Sequence, residues 1–223
     1  MWVYIWTSEL KNTYIGEEAE RPYTPTTNTL AYYPFKWSWV WEVWGTAVVW
    51  SWSSISSNYA TVNNSTITCP LTESFNPSGT AFTFSIWLNT YRLPSYNPRV
   101  LNDNQWQFLI IIWNPDYKVI LQRNSESSSS ATYVGYITGN AWYNVVITYS
   151  GNWNTVYLYL NWTKYTYTNW LDIRRSGSNM VLGYNNSNDG AYFYLWEFIL
   201  EKWMRSDAQV TNYYNSSKSR FGL

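Results

Sequence analysis

Apolar and polar residues alternate with period two along most of the chain. Phe82, Phe84, Ile86 and Leu88 are interleaved with Thr83, Ser85 and Trp87. Tyr143, Val145, Ile147 and Tyr149 are interleaved with Asn144, Val146 and Thr148, and Val156, Leu158 and Leu160 with Tyr157 and Tyr159. Successive side chains of a strand point to opposite faces, so each stretch predicts an antiparallel strand with one face buried and the other wet. Further strands are expected at 107–112, 117–123, 132–137, 180–184 and 192–202. Turn-forming clusters punctuate them: Asn114-Pro115-Asp116, Ser150-Gly151-Asn152, Ser176-Gly177-Ser178 and Asn188-Asp189-Gly190. The serine-rich run 125–130 reads as a solvated loop.

One helix is expected near the end. Ser206 suits the N-cap and Asp207 the first turn, where a negative charge meets the positive end of the helix dipole. Ala208, Val210, Thr211, Tyr213 and Tyr214 form the face that would lie on a sheet, and the chain then leaves through Asn215-Ser216-Ser217-Lys218. About ten strands with one short C-terminal helix predict an all-β, two-sheet antiparallel jelly-roll sandwich.

Residues 1–28 read as a separate arm, and 29–223 as the domain. The alternation Trp2-Val3-Tyr4-Ile5-Trp6 has strand character, followed by the acidic Glu17, Glu18 and Glu20 and a turn-rich linker over 21–27. Two readings stay open: a floppy tail, or an attachment strand that docks on a protein partner.

Charge narrows the partners. Fourteen basic and fourteen acidic side chains cancel over 223 residues, which argues against a nucleic-acid surface. The longest apolar run, 108–113, is far short of the ~20 residues a spanning helix needs, so no membrane insertion is expected. The absence of histidine removes imidazole relays and histidine-based zinc sites, and a single cysteine, Cys69, excludes an intrachain disulfide. The opening residues lack the basic and apolar regions of a signal peptide, so the chain is expected to act where it is made or to leave by a route such as lysis.

The segment 29–223 resembles the laminin-G-like, concanavalin A-type jelly-roll domains of the pentraxin and lectin kind. Residues 28–35 are similar to the first core strand. The stretch 82–88 resembles the strand with a tryptophan near its end, and 142–149 the most recognisable segment, followed by a hairpin at 156–161. The stretches 180–183 and 197–201 resemble the closing strands, and 208–214 the terminal helix. The resemblance implies the fold; function stays open, because this fold hosts lectins, glycosidases and adhesion modules.

Departures from the family pattern cluster at tryptophan. The family places glycine after the hairpin asparagine, where Trp162 stands here, and just before the strand containing Glu197, where Trp196 stands. Trp203 occupies a third turn-like position, and Trp37, Trp39, Trp41, Trp44, Trp50 and Trp52 crowd one early segment. Tryptophan is 17 residues and glycine only 10, low for a turn-rich β domain. Both anomalies are expected together if the source reads UGA as glycine. Only Trp87 and Trp142 stand where the family has tryptophan, and converting the rest brings glycine to about 11%.

Candidate chemistry is sparse. Laminarinase-type relatives carry a Glu-x-Asp-x-Glu motif whose carboxylates share one face of a strand. Here Glu197 and Glu201 have the outer spacing, but Ile199 stands at the centre, so no enzyme is expected and the two glutamates read as rim carboxylates. Relatives also bind Ca²⁺ at the sandwich rim, for which Asp103 and Asp189 are the candidate ligands. Sugar sites pair an aromatic face with hydrogen-bonding side chains. Candidates fall in two loops, Tyr91, Arg92, Tyr96 and Arg99 in one and Tyr184, Asn186 and Tyr192 in the other. The expectation is a non-enzymatic structural or adhesion module, a homo-oligomer on a virion or other extracellular assembly, binding a glycan or host-surface receptor. A bacterial surface or filament subunit is the alternative, and a glycoside hydrolase is disfavoured.

Overall fold

The computed structural model describes residues 23, 25–33, 48–49, 54–55, 59–75, 79–92, 99–103, 108–113, 117–123, 132–151, 155–168, 177–183 and 192–223. The strand character expected at 2–6 and the tryptophan-rich segment 37–52, apart from Val48 and Val49, lie outside these residues.

Fifteen strands fall among the described residues. The first five are β1 (Thr29–Tyr33), β2 (Val48–Val49), β3 (Ser54–Ile55), β4 (Ala60–Asn63) and β5 (Ile67–Phe75). Then come β6 (Phe82–Asn89), β7 (Arg99–Asp103), β8 (Phe108–Trp113), β9 (Lys118–Arg123) and β10 (Thr132–Tyr136). The last five are β11 (Trp142–Tyr149), β12 (Thr155–Leu160), β13 (Thr163–Thr168), β14 (Gly177–Leu182) and β15 (Tyr192–Glu201), followed by helix α1 (Asp207–Ser217) and a 3₁₀ turn, Lys218–Phe221. One sheet runs β13-β12-β11-β6-β15-β4-β3, with β1 also paired to β15, and the other runs β10-β9-β8-β7-β14-β5-β2. Every pairing is antiparallel, and the architecture is a two-sheet sandwich.

The period-two stripes meet between the sheets. Phe84, Ile86, Val145, Ile147, Val156 and Leu158 from the first sheet are fully buried against Ile67, Cys69, Leu101 and Leu182 from the second. Each such aliphatic or phenyl side chain contributes about 1.5–3 kcal/mol of burial. Gly177 and Ser178, expected in a turn, instead open β14. The register slips between Gly177 and Asn179, so a bulge absorbs the irregularity inside the strand.

The outer face of the first sheet departs from the half-wet expectation. All eight residues of β6 are buried, Thr83 and Ser85 included, because the C-terminal segment folds back over that face. Ser206 caps α1 in a capping box, its hydroxyl accepting from Gln209 N–H while the Gln209 side chain accepts from Ser206 N–H. The buried face is Val210, Tyr213, Tyr214 and Ser217, one helical stripe. Ala208 and Thr211 are exposed, and the helix continues through Ser217 where an exit was expected. This cover makes a second aromatic layer with Tyr32, Trp87, Trp196 and Ile199.

The two tryptophans at expected glycine positions are accommodated differently. At the β12–β13 hairpin the left-handed residue is Asn161, with φ of 58°, a conformation asparagine tolerates. Its side-chain oxygen accepts from Asn144 N–H at 3.0 Å, tying the turn to β11. Trp162 is exposed and rests its indole on Tyr214, ring centroids 5.5 Å apart. Trp196 lies inside β15 rather than before it. The β15–β6 register slips between Leu195 and Phe198, so Trp196 and Glu197 together oppose Trp87. Such a bulge is a common place for glycine, and it turns both residues onto the helix-covered face.

Candidate functional site

Three residues from the two candidate loops come together on the uncovered part of the first sheet's outer face. Tyr91 and Arg92 follow β6, and Tyr192 opens β15. The Arg92 guanidinium lies 4.7 Å from the centre of the Tyr192 ring, and Tyr91 meets Tyr192 edge-on with centroids 6.2 Å apart. Two tyrosines absent from the sequence reading complete the patch. Tyr194 stacks on Tyr91 at 4.4 Å, and Tyr59 packs against Tyr194 at 4.4 Å. Tyr192 and Tyr194 are two residues apart on one strand and therefore share a face, a signal that the alternation in 192–195 carries. The Tyr91 hydroxyl donates to the Val62 carbonyl at 3.3 Å, which fixes its ring. Burial, reinforced by Tyr194 and Tyr192, pushes the Tyr91 phenol up, so that ring stays uncharged near the exposed Arg92.

The patch takes in none of the remaining candidates that lie among the described residues. Arg99 begins β7 in the opposite sheet, paired with Ile111. Tyr96, Tyr184, Asn186 and Asp189 lie outside the described residues. Asp103 ends β7 in register with Met180. Among the described residues no three Asp, Glu, Cys or His side chains converge.

Glu197 and Glu201 share a face, as their spacing predicts, but neither is a rim carboxylate. They are 0% and 1% exposed, beneath α1. Glu201 accepts from the Tyr23 hydroxyl at 2.7 Å and from Arg205 Nε at 2.6 Å, and the guanidinium sits between the rings of Tyr23 and Tyr213. Glu197 accepts a short hydrogen bond from the Tyr213 hydroxyl. Burial pushes the Glu197 carboxyl up, against the opposing pull of the Tyr213 and Tyr32 hydroxyls and of Arg205 and Arg220. The folded state thus holds this proton more tightly than the unfolded chain. Stability from this group is fullest below the ordinary carboxylate value of 4.5 and declines as pH rises toward the elevated one. Glu197→Gln removes that decline, so thermal melts from pH 4 to 8 should show the variant gaining on the wild type as pH rises. A constant difference in Tm would contradict the buried, proton-holding carboxyl.

No protein-family model matches the chain, and no curated protein matches it by sequence. Solved structures do match by fold. A sialidase of Trypanosoma rangeli, crystallised with a difluorinated sugar acid, superposes with a TM-score of 0.66 at 11% identity, over 87% of this chain and 33% of that one. The binding domain of botulinum neurotoxin serotype D gives 0.64 at 16% identity, over 84% and 51%. The binding domain of botulinum neurotoxin DC, in complex with SialylT, gives 0.63 at 13% identity, over 86% and 52%. The chain thus spans about a third of the sialidase and half of each neurotoxin fragment. At these identities the likeness establishes the fold alone: the two-sheet jelly roll that the strand pattern predicts, of the concanavalin A-like type that the resemblance implies.

Proposed function

We propose that the chain is a non-enzymatic carbohydrate-binding module of a virion or other extracellular assembly, held to a protein partner or to further copies through the arm 1–28, whose Tyr23 is itself packed on the domain. The tyrosine–arginine patch carries this reading. Four phenol rings gather into one aromatic surface for the apolar side of a pyranose, and Arg92 supplies hydrogen bonds at its margin. Fold neighbours solved with sialyl ligands support a glycan as the partner class. The burial of Glu197 and Glu201 under α1 supports a module without hydrolase activity, since a glycosidic bond needs both carboxyl groups at its flanks.

A glycan array followed by calorimetry on its hits tests this. Tyr194→Ala should weaken binding about tenfold, equivalent to about 1.4 kcal/mol, without changing Tm by more than a few degrees. Absence of any hit, or a Tyr194→Ala variant that binds like the wild type, would remove the patch as the site.

Two finer parts belong to the same proposal. A Ca²⁺ ion between Asp103 and Asp189 should raise Tm on addition and lower it with EDTA; unchanged melts would remove it. Translation of UGA as glycine in the source should give a native mass lower than this sequence by a whole number of Trp-to-Gly differences. An intact mass equal to the sequence as written would end that idea.

A further inference from the structure

Beside the tyrosine patch, the same sheet face continues beneath the chain's own C-terminus. Tyr194 on β15 pairs across with Asn89 on β6, and Asn89 pairs across with Trp142 on β11. These three positions form one row, spanning roughly 10 Å at two strand spacings. Trp87, one strand step along β6, completes a tryptophan-lined recess. The recess is filled by Phe221, whose ring centroid lies 4.2 Å from that of Trp87, 4.6 Å from Trp142 and 5.3 Å from Trp196.

The filling is chemically incomplete. Asn89 is 7% exposed with Oδ1 unpartnered, and Trp87 is 0% exposed with Nε1 unpartnered. Orphaned polar atoms at such depth are uncommon and cost about 1–3 kcal/mol each. A phenyl ring can serve neither the amide oxygen nor the indole N–H. A saccharide ring can serve both, with hydroxyls for the polar atoms and an apolar face for the indoles. Phe221 is half-buried, packed against the aromatic cluster under α1, and Gly222 and Leu223 beyond it are exposed.

We propose that the Trp87–Trp142–Asn89 recess is a second sugar subsite in line with the tyrosine patch, closed in this state by Phe221. The assignment rests on the reading of that patch as a glycan site. Oligosaccharides long enough to pass from Tyr194 to Trp142 displace the tail; shorter ones bind the patch and leave it in place. Trp87 and Trp142, unlike Trp196, are positions where tryptophan is expected in any case, so the recess does not depend on how UGA is read.

Calorimetry with maltose, cellobiose and chitobiose and the three matching hexasaccharides tests this on the full chain. Phe221→Ala should tighten hexasaccharide binding about tenfold or more, the reciprocal of the fraction of molecules with the tail displaced, and leave disaccharide binding unchanged. Adding Asn89→Leu should abolish the gain. Phe221→Leu, which keeps apolar bulk but loses the ring stack, carries the same comparison if Phe221→Ala loses its cooperative melt. Equal hexasaccharide affinity with and without the plug, or a gain that survives Asn89→Leu, overturns the subsite and leaves the patch standing. Binding of no sugar to any form overturns both.

Discussion

Replacing Arg205 by methionine is expected to cost about 3–5 kcal/mol of stability, a large part of the 5–15 kcal/mol that holds a typical domain. Arg205 is 5% exposed, and its Nε lies 2.6 Å from Glu201 Oε2. Without the guanidinium, Glu201 keeps the Tyr23 hydroxyl as its partner among the described residues and is left as a buried carboxylate with no cation beside it there. The cost comes from that stranded charge rather than from the lost attraction, so it has a signature. Combining Arg205→Met with Glu201→Leu should recover most of the loss, because two apolar side chains need no partner. Urea midpoints followed by tryptophan fluorescence would show it. A double variant as unstable as the single would mean that the shape of the Arg205 side chain between Tyr23 and Tyr213 matters more than its charge.

The contrast between the two faces of the first sheet explains what the sequence could and could not reveal. The inner stripe was legible because Phe84, Ile86, Ile147 and Leu158 alternate with polar residues, and only one face of such a strand can line an apolar interior. The outer face was misleading. Ser85 and Asn144 read as solvent-facing, yet both are fully buried, because a helix more than sixty residues further along the chain covers them. No local pattern encodes that coverage. Glu197 was misplaced for the same reason, and for a second one: the bulge beside Trp196 disturbs the strict period on which rim and core assignments rest. The tyrosine–arginine patch was half legible. Tyr91, Arg92 and Tyr192 were singled out by residue type, but in two separate loops, and only the pairing of β15 with β6 brings them together. Trp162 stands where the family has glycine, and a tryptophan fits there because Asn161, one residue earlier, takes the left-handed conformation.

The second large effect is expected at Gly183, which follows β14 with φ of 85°. A Cβ there would stand 2.6 Å from the Ser65 carbonyl oxygen and 2.6 Å from Val62 Cγ1, so Gly183→Ala combines backbone strain with a collision against main chain. The strain is worth about 1–2 kcal/mol. The collision adds about 1–3 kcal/mol, since the β4–β5 turn must shift to make room. Gly79→Ala is the control: φ is 68°, but nothing lies within 4 Å of the new Cβ, so only the conformational part remains. The difference between the two variants in a denaturation series isolates the steric part. It should also reach the tyrosine patch. Val62 is the residue the new methyl strikes, and its carbonyl receives the Tyr91 hydroxyl. Displacing it loosens the ring on which Tyr194 stacks. Under conditions where both variants remain folded, glycan affinity should fall for Gly183→Ala and hold for Gly79→Ala. Equal affinities would show that the tyrosine patch holds its geometry without the anchor at Val62.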